Sequence, residues 1–202
     1  MAAAKRRRRK QVIGSLLSAI LVLAGVGYLF LSRPGVAIRA LPAEVEVCSG
    51  DILLLGSSTI RGRILKCIDG GTMWAHVGIA DASGGVVSII HADPSAGMVI
   101  SETLERYLAD NSVDSMMVLR PYSGDGGKAA AYARTKAEQK VKFDNTFRYR
   151  GGDGLYCTEL VLMAWESVGV VILSVERGDS VMPSELESAP RLKVVWSSRN
   201  SS

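Results

Sequence analysis

Cysteine and histidine are both scarce in this chain, with three cysteines and two histidines in 202 residues. Three cysteines are too few for a disulfide scaffold, so the fold must rest on a packed core. Internal repeats and low-complexity segments are absent, which excludes a repeat architecture. Wholesale disorder is excluded as well, because 48% of the residues are hydrophobic. Acidic residues are missing from Lys5 to Lys10, KRRRRK, which carries six positive charges. Without that run, 18 basic residues face 20 acidic ones, so the body of the chain sits at −2 rather than +4. A nucleic-acid-binding domain spreads its basic residues over a folded face. A terminal cluster on a slightly acidic body argues for no nucleic acid partner.

Charge is missing altogether from Val12 to Leu31, twenty residues that follow the basic run. That is the length a helix needs to cross a bilayer core. Tyr28 and Phe30 suit an interfacial position, and the basic run predicts a cytoplasmic N-terminus. A cleaved signal peptide is the rival. Its apolar region is usually shorter, and Ser32-Arg33-Pro34 and Ile38-Arg39-Ala40 make poor cleavage sites. The expected organisation is a basic cytoplasmic tail (1–10), a transmembrane anchor (11–32) and a linker (33–46). One domain (47–198) and a short tail (199–202) follow. The chain then reads as a single-pass membrane protein with its domain extracytoplasmic, periplasmic or on the outer face of an inner membrane. Such a compartment permits a disulfide, for which Cys48 and Cys67 are the candidates.

Apolar runs and turn residues predict strands at 51–55, 74–80, 86–92, 98–100, 115–119 and 192–196. Helices are predicted at 59–67, capped by Ser57 or Ser58, and at 101–109, capped by Ser101. Two more are predicted at 127–140 and 157–168. Residues 143–154 read as an ordered loop. Hairpin-joined strands with helices at intervals give the α+β class.

The two histidines, His76 and His91, fall on neighbouring predicted strands inside apolar runs, where Val and Ile are the usual residues. Cys157 opens a predicted buried helix after a glycine-rich loop. A helix N-terminus favours the thiolate, and a nearby imidazole supplies a general base. A third polar group would hold that imidazole in the right tautomer. A zinc site made by His76, His91 and Cys157 is the chemical rival, although no close-spaced ligand pair supports it. The expectation is therefore no metal and no cofactor. Singly, a strand histidine or a buried cysteine is most often a core residue.

In chain order the blocks GDILL, AHVGI, VVSIIHA, FDNTF and YCTELV, closed by VMPSEL, resemble the YiiX-like permuted papain-like hydrolases. These are relatives of the NlpC-type cell-wall peptidases, and the resemblance covers residues 48 to 190. It implies a circularly permuted papain-like fold, with Cys157 as nucleophile and His76 as general base. His91 falls where that family places its third polar residue, often a Glu. Related enzymes of the lecithin:retinol acyltransferase type use two histidines and a cysteine. The implied activity is a cysteine hydrolase acting on a cell-wall peptide, γ-glutamyl or related amide through an acyl-thioester. A lipid-directed acyltransferase or thioesterase is the second reading, and an accessory protein with a lapsed site the third. Tyr156, beside the nucleophile, would line the pocket or contribute a hydroxyl. Asp51 reads as fixing a turn, and Glu159 as favouring the helix N-terminus.

Overall fold

The computed structural model describes residues 37–200. Its centre is a six-stranded antiparallel sheet in the order β4-β3-β2-β1-β5-β6. The strands are β1 (Ile52–Ser57), β2 (His76–Asp81), β3 (Ser88–Asp93), β4 (Met98–Thr103), β5 (Val113–Pro121) and β6 (Leu192–Ser197). The helices are α1 (Ile60–Ile68), α2 (Leu104–Asp110), α3 (Gly126–Glu138), α4 (Cys157–Glu166) and α5 (Pro183–Glu187).

The sheet is covered on both faces, which explains the unbroken apolar run of β1. Ile52 and Leu54 join the core beneath α3 and α4, whereas Leu53 and Leu55 join the core beneath α2. On α4, Leu160, Val161, Ala164 and Trp165 pack inward at helical spacing. The Trp165 indole N–H donates to the Gly50 carbonyl at 3.2 Å and fixes the helix to the strand entering β1.

Two caps differ from expectation. Thr59, rather than Ser57 or Ser58, accepts from the Gly62 N–H and opens α1. Ser57 is the last residue of β1, and its hydroxyl donates to the Asn111 carbonyl. Thr103, rather than Ser101, caps α2, because β4 runs on through Thr103.

The fold class also needs correction. The expectation was an α+β, permuted papain-like domain behind a transmembrane helix. The structure is mixed α/β, with helices interleaved along a six-stranded antiparallel sheet. The segment 11–32 lies outside the described residues. Among the described residues no helix is long and apolar enough to cross a membrane. The longest has 13 residues, against the roughly 20 a bilayer core requires. The single-pass membrane assignment and the extracytoplasmic localisation built on it therefore rest on no described helix. Cys48 and Cys67, the candidates for a disulfide, are both free.

Asp51 lies buried just before β1 and takes a two-point contact from Arg120 of β5, Nε to Oδ1 at 2.7 Å and Nη2 to Oδ2 at 2.8 Å. Its Oδ2 also accepts the Cys48 N–H at 2.8 Å. Asp51→Ala leaves the guanidinium without its carboxylate, held by the Glu46 carbonyl, and leaves the Cys48 N–H unpaired. Arg120 is partly open to water, so the loss is expected to be about 2–3 kcal/mol by urea denaturation.

Candidate active site

The pleat of the sheet brings His76, His91 and a third residue, Glu102, onto one face. Ile90 pairs with Ile79 across β2–β3, and His91 pairs with Ile100 across β3–β4. Extending the first register by one residue sets His91 opposite Gly78, so His76 is its diagonal neighbour. Glu102 is the diagonal neighbour on the other side. Diagonal positions lie within reach of long side chains. The result is a line of hydrogen bonds. His76 Nε2 meets His91 Nδ1 at 2.8 Å, and His91 Nε2 meets Glu102 Oε1 at 2.9 Å. Both imidazoles are buried, and the Glu102 side chain is 8% exposed.

The carboxylate fixes the direction of this line. It can only accept, so His91 carries its proton on Nε2. In the tautomer whose Nδ1 is free, His91 accepts from His76 Nε2–H, and His76 Nδ1 keeps a lone pair. Burial holds the His76 imidazole well below its ordinary protonation range, and His91 beside it adds to the effect. His76 therefore rests neutral with a basic nitrogen.

Cys157 approaches from the helical side, at the end of the sheet where His76 begins β2. It is the first residue of α4, and Tyr156 in the capping position makes no side-chain cap. The N–H groups of a helix start are thus left for other acceptors. Burial pushes the Cys157 thiol above its ordinary value. Hydrogen bonds from the Thr158 hydroxyl and from the backbone N–H groups of Val77, Thr158 and Cys157 itself pull the other way. The resting pair is a thiol and a neutral imidazole.

Cys157 and His76 line one cavity of about 210 Å³, walled by Leu65, Pro94, Phe143 and Phe147 with Arg61 and Asn145 among its polar groups. His76 also borders an adjoining pocket of about 160 Å³, where Asp93, Asp110 and Asn111 contribute. At the other end of the line, His91 and Glu102 face a polar groove of about 520 Å³.

The remaining candidates hold the site from outside. The Glu159 Oε1 accepts the Arg150 N–H at 2.6 Å and ties the 143–156 loop to α4. Its carboxyl is raised by burial, against the hydrogen bond from Arg150. In the same loop Phe147 and Arg150 take positive φ, at 54° and 52°. That strained backbone sets Phe147 as a cavity wall. The Tyr156 hydroxyl accepts the Val181 N–H at 3.2 Å, and its ring meets Phe147 edge-on at 5.7 Å. Tyr156 props the wall rather than facing the cavity. Asp51 is not part of the group. His76 pairs with Leu55, four residues further along β1, which is about 13 Å away.

Sequence reading missed Glu102, taking Ser101 to Ala109 as a helix with its cap. Its signal was the alternation Ile100-Ser101-Glu102, readable only once the β3–β4 register is known. Glu102→Gln keeps an acceptor for His91 but removes its charge. We expect alkylation of the Cys157 thiol by iodoacetamide to slow by about 10- to 100-fold, measured by stopped flow, with thermal stability little changed.

No family model matches the sequence, and no curated protein matches it. Among solved structures, the chain is similar to the metalloprotein yiiX from Escherichia coli O157:H7. That likeness has a TM-score of 0.63 at 17% identity and covers 73% of this chain and 96% of the other. At that identity it speaks for the fold alone, and it carries neither the cell-wall peptidase assignment nor any metal chemistry. Among the described residues no group of three or more His, Cys, Asp or Glu side chains is arranged to hold a metal ion. The facing nitrogens of His76 and His91 are turned on each other, and the outer nitrogen of His91 on Glu102. Three of the four imidazole nitrogens are taken up in this line, so the group does not fit a metal, and a YiiX-like fold is what the comparison supports.

Proposed function

We propose that the protein is a thiol hydrolase that cleaves amide or ester bonds through an acyl-thioester on Cys157. The observation that carries this reading is the buried line His76–His91–Glu102 ending in the cavity that Cys157 shares. A core histidine normally satisfies itself on backbone. Two histidines and a carboxylate in series, with the basic nitrogen left over at the thiol end, are an arrangement for moving a proton.

Because thiol and imidazole both rest neutral, the proton leaves as the bond forms. His76 Nδ1 takes the Sγ proton while sulfur attacks the acyl carbon. The new imidazolium holds its Nε2–H on His91 Nδ1, and His91 holds its own Nε2–H on Glu102. The backbone donors around the sulfur, with the helix N-terminus behind them, meet the developing oxyanion. His76 Nδ1–H then protonates the leaving amine or alcohol, giving the thioester. In the second half His76 draws a proton from water as the water attacks. The thiolate leaves and recovers the proton from His76. Apolar walls at Leu65, Phe143 and Phe147 suit an apolar acyl side chain.

The test is incubation with p-nitrophenyl acetate, following nitrophenol release and mapping the acetyl group by peptide mass spectrometry. We expect a burst with acetate on Cys157, ahead of Cys67, which is the exposed cysteine. Acetate on Cys67 alone would overturn the reading and leave a binding protein on this fold. Adding an amine to the same assay reads out the second reading, since an acetylated amine would assign acyl transfer.

A further inference from the structure

Tyr107, on α2, packs its ring against both relay histidines. The ring centroids lie 4.7 Å from His91 and 6.0 Å from His76. The side chain is fully buried, and its hydroxyl has no hydrogen-bond partner among the described residues. A phenylalanine would fill the same space without an unpaired hydroxyl, whose burial costs stability. Room for that oxygen is kept by Gly78, where an added Cβ would stand 3.0 Å from it.

The charged and titratable groups around the phenol come from every neighbouring element. They are His76 on β2, His91 on β3, Glu102 on β4 and Cys157 on α4, with Arg106 of α2 itself lying 3.7 Å from Glu102. Burial pushes the Tyr107 phenol far above its ordinary range, and the Cys157 and Glu102 charges push it further. It therefore stays a neutral dipole, and no proton passes through it.

We propose that Tyr107 is a positioning residue of the relay: its hydroxyl, idle while the site is neutral, steadies the positive charge that forms on His76 when Cys157 gives up its proton. The inference rests on the thiol-hydrolase reading and deepens it. An aromatic face and a phenol oxygen beside a buried imidazolium lower its energy, and a dipole already in place needs no reorganisation. The same oxygen has nothing to answer in the neutral state, which accounts for its missing partner there.

Tyr107→Phe keeps the ring and removes the oxygen. Histidine titration by NMR reads the effect directly, since the chain holds two histidines. We expect the His76 midpoint to fall by about half a pH unit or more relative to wild type. Acylation of Cys157 should slow by about five- to tenfold, with the thermal midpoint unchanged or raised. An unchanged His76 midpoint would overturn the proposal, as would a slower rate accompanied only by a lower thermal midpoint. The midpoint is read without substrate. A lowered midpoint in a protein that is never acylated at Cys157 would instead count against the hydrolase reading.

Discussion

Cys157→Ala is expected to abolish turnover, by about a thousandfold or more, while the protein stays folded. The side chain it removes is small and lines the cavity, at the first position of α4. Alanine suits that position, so the stability cost is about 1 kcal/mol or less. Acyl adducts should vanish from the residue 157 peptide and from the intact mass. Hydrolysis persisting at a tenth of the wild-type rate or above would mean that sulfur is not the nucleophile. Serine at the same place is a sharper control, since it keeps the proton but is the poorer nucleophile in a site built for sulfur.

The second large effect belongs to His76. His76→Ala removes the imidazole that shares the cavity with the thiol and leaves His91 without its neighbour. The expected loss is about a hundredfold to ten-thousandfold in acylation rate, measured by stopped flow. Its pH dependence follows from the direction of the shift. The folded His76 is held below its ordinary value of 6.5, so the unfolded chain binds the extra proton first. The contribution of His76 to stability is therefore fully present above about pH 6.5 and is lost as pH falls toward the folded value. His76→Ala should flatten part of that acid-side loss in denaturation experiments from about pH 7 to pH 5. A variant that loses stability equally at both ends would contradict the neutral resting state.

The candidate trio stood out in the sequence because its members are rare. Two histidines and one helix-opening cysteine stand out in apolar runs, where burial of a polar group needs a reason. The strands were legible from apolar runs such as DILLL and from their turns. What escaped depends on register. Glu102 reaches His91 only because β3 and β4 pair His91 with Ile100, and no local pattern specifies that pairing. Tyr107 falls in the helix predicted at 101–109, where no local pattern singles it out. Its hydroxyl became informative only when the sheet beneath it was in place. The caps moved from serines to Thr59 and Thr103 because tertiary pairing carried β1 and β4 further than local propensity indicated. Asp51 reads as fixing a turn at a strand start, and its partner Arg120, 69 residues away, left no local trace. The membrane reading came from the hydropathy of a segment outside the described residues, and no described helix supports it.

The most direct test of the relay is the rate of Cys157 acylation by p-nitrophenyl acetate across about pH 5 to 9, in wild type and His76→Ala. In wild type the rate should hold its neutral plateau below pH 6.5, because His76 stays unprotonated there. In His76→Ala it should fall and climb with pH toward the raised thiol value, above 9.0. Superimposable profiles in the two proteins would contradict a histidine relay serving the Cys157 thiol.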